Sequence, residues 1–146
     1  MKILAVDYGD ARTGLAISDA SELLATPLPQ IEEKSMNKAA AAILEACKTQ
    51  NAQMIVVGLP RNMDGTEGSC AQKTRKMAAI LERDGTLPVY FWDERRTTVT
   101  AAAQLSEAGT FGQKRKAKLD SVSAAVILDS FMEWRKHHPN QEPNQL

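Results

Sequence analysis

Cysteine is scarce in this chain, and histidine is absent from its hydrophobic segments. Cys47 and Cys70 are the only cysteines, each in an Ala- and Lys-rich stretch that reads as a helix, with no CxxC and no paired Cys/His spacing. That excludes a disulfide framework, and free thiols in a reducing cytosol are expected. No apolar run approaches the roughly 20 residues of a membrane span. The opening I-L-A-V meets Asp7 after four residues, too short for a signal peptide. A soluble, cytoplasmic protein without a membrane partner is expected. Charge of one sign is not in excess either: 18 Lys and Arg balance 18 Asp and Glu. Such a balance neither demands nor excludes nucleic acid, because a phosphate backbone responds to a local patch rather than to the total. There is no internal repeat, and 146 residues suit a single domain with one substantial core.

What is there is an alternation of short apolar runs and helical periods. Ile3 to Val6 predicts a buried strand ending at Asp7, and Leu15 to Ile17 a second one after the turn Y-G-D-A-R-T-G. Leu23 to Ile31, broken by Pro27 and Pro29, fits only an edge strand or an irregular segment. Asn37 to Gln50 and Glu67 to Arg83 have helical spacing. Met54 to Val57 and Val89 to Trp92 are strands, the first running into the turn-rich G-L-P-R-N-M-D-G. Thr97 or Thr98 is expected to cap a helix to about Ala108, and a last amphipathic helix runs from Leu119 to Lys136. The order β-β-β-α-β-α-β-α-α predicts an α/β domain. An antiparallel meander joins parallel strands in a mixed five-stranded sheet flanked by helices. Two right-handed crossovers are expected to place the fourth and fifth strands beside the first. The domain is expected over residues 1–137, with a disordered polar tail over 138–146.

Three acids stand out by position. Asp7 ends the first strand and Glu94 lies just past the fifth, so both are expected at the carboxyl edge of the sheet, where ligands gather in such folds. Asp120 opens the last helix, in line with Ala124, Ile127 and Phe131 on its inward face. Singly, each acid has an ordinary reading. Asp7 could make an Asx-turn into Gly9, Asp120 could be a first-turn helix acid, and Glu94 could form a surface ion pair with Arg95 or Arg96. Jointly they are three converging carboxylates, costly to bury unless a hard divalent cation holds them. Mg²⁺ or Mn²⁺ with oxygen ligands fits, and the lack of nearby histidine argues against zinc. Two such ions would clamp the attacking and leaving oxygens of a phosphodiester displacement. Asp93 is the alternative to Glu94, since adjacent residues leaving a strand point to opposite faces.

The bases form a matching set. Lys114, Arg115, Lys116 and Lys118 lie just before Asp120, and Arg12, Arg61, Arg95 and Arg96 fall on the same predicted edge. Charge runs are usually solvated surface. Beside an acidic cluster they would hold a nucleic-acid backbone.

The segments D-Y-G-D-A-R-T-G-L-A-I-S-D, V-V-G-L-P-R-N-M-D-G-T-E-G, D-E-R-R-T-T and K-L-D-S-V-S-A-A-V-I-L together resemble the YqgF/RuvX family, in order from Lys2 to about Trp134. The family often has Leu after D-E-R, where this chain has Arg96. The resemblance implies a ribonuclease H-like fold, with Asp7, Glu94 and Asp120 as the acidic catalytic and metal-holding set. It also implies one of two activities, Holliday-junction resolution or maturation of the small-subunit ribosomal RNA precursor.

The expected function is a metal-dependent endonuclease on structured RNA, chiefly pre-rRNA, working on ribosomal particles. A resolvase of DNA four-way junctions is the alternative and would require a C2 homodimer, whereas one cut needs only a monomer. A non-catalytic nucleic-acid-binding regulator of transcription or ribosome assembly would have no use for converging carboxylates, which repel phosphate. An actin-like ATPase also uses a D-x-G turn, but needs two lobes where this length supplies one.

Overall fold

The first apolar run forms β1 (Ile3–Asp7), whose residues Ile3 to Val6 are all fully buried. A strand covered on both faces reads as continuous rather than alternating, which is why this one was plain in the sequence. A computed structural model describes residues 1–62, 64–96 and 119–139, with backbone only for 96 and 119–121. The expected helix after Thr97 or Thr98, the basic run Lys114 to Lys118 and residues 140–146 lie outside the described residues.

β2 (Arg12–Ser18) returns antiparallel to β1, with Asp7 opposite Gly14. It begins three residues before the expected Leu15, because Arg12 and Thr13 already pair with β3 (Ala25–Glu32). The sheet order β3-β2-β1-β4-β5 leaves β3 on an edge, where Pro27 and Pro29 are tolerated. α1 (Met36–Gln50) starts where Ser35 Oγ accepts from the Lys38 N–H, and stops at Asn51 in the left-handed conformation. β4 (Met54–Leu59) runs parallel to β1, pairing Val57 with Val6. α2 (Ser69–Asp84) and β5 (Val89–Asp93) follow, β5 parallel to β4. β4 thus lies against β1, while β5 lies beyond β4 rather than directly beside the first strand. A 3-10 turn over Glu94–Arg96 leaves β5, and α3 (Leu119–His137) closes the described chain.

Two cores sandwich the sheet. Leu4, Val6, Ile55, Val57 and Phe91 pack under α1 and α2 with Ile43, Met77 and Leu81. Ile3, Ala5, Val56 and Trp92 pack under α3 with Ala124, Ile127 and Phe131. Each such fully buried aliphatic or aromatic side chain contributes about 1.5–3 kcal/mol relative to exposure. Trp92 meets Phe131 edge-on at 5.5 Å between ring centroids, which locks α3 across the sheet. His138, just past α3, stacks on Trp134 at 4.8 Å. Among the described residues no helix is long and apolar enough to cross a membrane.

Candidate active site

The alternation that sorts the core also sorts the acids. Ile3 and Ala5 of β1 face α3, and Asp7 continues their row; Tyr90 and Trp92 of β5 face α3, and Glu94 continues theirs. The two side chains meet: Glu94 and Asp7 are hydrogen-bonded to one another. Both are half-buried. Burial, reinforced by the negative charge of Asp93, pushes the Glu94 carboxyl above the usual range, against the lowering effect of the Asp7 hydrogen bond.

Gly58 makes this meeting possible. It sits within β4, between β1 and β5, opposite Trp92. A Cβ there would stand 2.8 Å from Glu94 Oε1 and 2.5 Å from Ile127 Cδ1. Reading the turn formers from Gly58 onward as loop missed this role. β4 extends to Leu59, and an isolated glycine inside a strand signals close approach of other groups.

α3 approaches from the same face. Its far end lies at the opposite edge of the sheet, where Arg135 Nε donates to Glu22 Oε1 at 2.7 Å in the β2–β3 turn. Ile127 reaches Gly58 near the carboxyl edge. Asp120 is seven residues earlier, two turns closer to that edge and in the same helical stripe as Ile127. The structure brings Asp7 and Glu94 into contact and puts the backbone of Asp120 in the first turn of the helix covering them. The Asp120 side chain lies outside the description.

Asp93 goes the other way. It is the last residue of β5 and shares the row of Phe91, toward α2. Its carboxylate accepts from the Arg95 backbone N–H at 2.9 Å and from Arg95 Nε and Nη2 at 3.1 and 2.7 Å. Arg95 therefore pairs with Asp93, not with Glu94. The Arg95 guanidinium, followed by burial working in opposition and the backbone hydrogen bond, leaves the Asp93 carboxyl below its ordinary range. Arg61, two residues past β4, lies 3.8 Å from Asp93 and 3.7 Å from Glu67. Arg12 is exposed at the start of β2, across from Glu32. Arg96 has only its backbone described, and Lys114, Arg115, Lys116 and Lys118 lie outside the described residues.

Two oxygen-only side chains in contact, half-buried and without histidine or sulfur, repel once both ionise. That donor chemistry suits a hard divalent cation and no soft one. Among the described residues no group of three or more His, Cys, Asp or Glu is clustered for a metal; the contact is a pair.

A family model described as "RuvX: Holliday junction resolvase" matches residues 1–134. The chain belongs to the RuvX family. A relative from Maridesulfovibrio salexigens is 37% identical over 132 residues, 90% of this chain and 98% of that one. One from Ruegeria pomeroyi is 41% identical over 128 residues, 88% of this chain and 83% of its own. Both carry the name "Putative pre-16S rRNA nuclease". Among solved structures, Thermus thermophilus RuvC matches over 100% of both chains with a TM-score of 0.63 at 12% identity. Fowlpox virus resolvase in complex with Holliday junction DNA matches over 92% of this chain and 98% of its own, with a TM-score of 0.53 at 14% identity. Likeness at that identity concerns the fold: the ribonuclease H-like mixed sheet expected from the motifs is the one found.

Proposed function

We propose that this RuvX protein is a metal-dependent endonuclease that processes the precursor of 16S rRNA in the cytoplasm, on ribosomal particles. The observation that carries the reading is the Asp7–Glu94 contact at the carboxyl edge of the parallel strands, on the face that α3 covers. The names of its relatives supply the substrate. Asp7 and Glu94, joined by Asp120 from the first turn of α3, would hold Mg²⁺ or Mn²⁺. When bound, such an ion polarises the scissile phosphate and lowers the pKa of a bound water.

The chain's own contribution is placement. β1 and β5 fix the two carboxylates through a buried sheet, so that neither has to be ordered when substrate arrives. Gly58 keeps the space in which Glu94 lies against Asp7. Core packing of Ile127 and Phe131 fixes α3 over the sheet, and with it the first turn bearing Asp120. Arg12, Arg96 and the run Lys114, Arg115, Lys116 and Lys118 supply positive charge for the backbone of the nucleic acid, with Arg95 held on Asp93.

The family description favours a second reading, a resolvase of four-way DNA junctions, which needs two such sites related by a twofold axis. Purified protein incubated with a precursor 16S transcript and with a four-way junction separates them. Site-specific cuts in the RNA by a monomer support the first reading. Paired symmetric cuts in the junction by a dimer, with the RNA intact, replace it with the second.

A further inference from the structure

Arg61 is held between two acids without a hydrogen bond to either. Its Nη2 lies 3.7 Å from Glu67 and its Nη1 3.8 Å from Asp93, both inside ion-pair range and beyond hydrogen-bond reach. Its Nε is buried and has no acceptor among the described residues. The two acids, by contrast, are fully engaged elsewhere. Asp93 is gripped by the fork of Arg95, with Nη2 at 2.7 Å and Nε at 3.1 Å. Glu67 is gripped by Arg75, with Nε at 2.5 Å and Nη2 at 2.8 Å, and the Arg75 guanidinium is itself stacked 4.8 Å from the centroid of the Phe91 ring.

A guanidinium carries five N–H donors in a rigid fork, and burying them unpaired is costly. In an ordinary structural ion pair the arginine donates to the acid that holds it. Here Arg95 and Arg75 do so, whereas among the described residues Arg61 stands between their acids with no hydrogen bond to either and no acceptor for its Nε. Its side chain is 29% exposed, so part of it remains open to a ligand. The ligand that satisfies such a fork is an oxyanion with several acceptors, as a phosphodiester is.

Position points the same way. Arg61 follows β4 at the edge where β1 ends at Asp7 and β5 at Asp93, with Glu94 the next residue in the chain. The turn carrying Arg61 is stapled, with the Asn62 N–H donating to Thr66 O at 2.8 Å and Asn62 Nδ2 to Thr66 Oγ1 at 2.9 Å. We infer that Arg61 grips a backbone phosphate of the bound nucleic acid beside the scissile one, and that Asp93 and Glu67 are the positioning residues that aim it. This rests on the nucleic-acid reading above and deepens it. The D-E pair leaving β5 then divides its labour: Glu94 turns to the reacting centre, and Asp93 turns to the grip beside it.

The test is equilibrium binding of a fluorescently labelled RNA hairpin with single-stranded flanks, in chelator so that nothing is cut, across a series of salt concentrations. Arg61→Gln is expected to weaken binding about tenfold, as removal of one charge-assisted hydrogen bond does. It should also flatten the slope of log affinity against log salt by about 0.7–0.9. Arg61→Lys should keep the slope and lose part of the affinity, because the point charge survives and the fork does not. Asp93→Asn is the discriminating variant. Removing a negative charge near a polyanion should by charge alone tighten binding; loss of a positioning residue loosens it, with Arg61 itself intact. Thermal melts accompany each variant, and if Asp93→Asn does not fold, Glu67→Gln makes the same comparison. An unchanged slope in Arg61→Gln, or tighter binding in Asp93→Asn or Glu67→Gln, overturns the inference. Cleavage activity with an unchanged Arg61→Gln slope removes this grip and leaves the nuclease reading standing. A flattened slope in a protein that cuts nothing does the reverse. Wild-type protein that binds neither RNA nor DNA overturns both.

Discussion

Gly58 is the floor beneath Glu94: the atom it lacks would stand 2.8 Å from Glu94 Oε1. A methyl group at this point has two ways to be accommodated. It can displace Ile127, which is 3% exposed and has little room to move, or it can displace Glu94, whose carboxyl is the more mobile end.

Gly58→Ala is therefore expected to lower stability by about 1–3 kcal/mol, the usual cost of overpacking, and to weaken Mn²⁺ binding. Pairing it with Ile127→Val removes the 2.5 Å contact at Cδ1, and should recover much of the stability without recovering the metal. Urea unfolding and Mn²⁺ titration of the two variants check this. Recovery of both together would mean that Glu94 was never displaced.

Much of the sheet was legible because its strands obey simple patterns. Continuous burial made β1 and β4 plain, and Pro27 and Pro29 marked β3 as an edge. The ends were less legible. β2 gains Arg12 and Thr13 only through pairing with β3, and α2 starts two residues after Glu67, whose carboxylate is drawn to Arg75. Neither partner is visible from the local sequence.

The β2–β3 turn gives a pH signature. Asp19 is held down to about 2 by the Ser21 hydroxyl at 2.6 Å and then by the backbone N–H groups of Leu23 and Leu24 at 2.7 and 3.2 Å. A carboxyl lowered on folding stabilises the protein above its unfolded pKa, about 4, and that contribution is lost as pH falls toward the folded value. Asp19→Ala should thus lower the urea midpoint at pH 7 and lose most of that effect near pH 2. An equal deficit at both pH values would assign the loss to packing instead.

The basic run makes a separate prediction. Replacing Lys114, Arg115, Lys116 and Lys118 together with Gln should weaken nucleic-acid binding while leaving Mn²⁺ affinity unchanged. The salt slope should fall by about 0.7–0.9 for each phosphate no longer neutralised. Filter binding at several salt concentrations measures it, and an unchanged slope would make these residues plain solvated surface.

The candidate site was legible in part, for a physical reason. Period-two alternation separates Asp93 from Glu94, and the structure sends them to opposite faces as that alternation requires. The same alternation could not show that Arg95 follows Asp93, because a side chain of that length chooses its partner in space. Gly58 reads as a turn former in sequence, and only the strand passing through it reveals the space it keeps. The Arg61 approach to Asp93 spans 32 positions in sequence, so no local pattern encodes it.

The proposed metal-holding centre of the nuclease is the pair Asp7 and Glu94. Its most direct test is cleavage of a labelled precursor 16S transcript by wild type, Asp7→Asn and Glu94→Gln at equal concentration, with Mg²⁺ and with chelator. Wild type should cut only with the metal, and either variant should lose at least about 100-fold, the scale of removing one charge-stabilising group from a reacting centre. Metal-free unfolding of both variants should match or exceed wild type in stability, since each removes carboxylate repulsion. Cleavage by either variant at the wild-type rate, or undiminished cleavage in chelator, would contradict it.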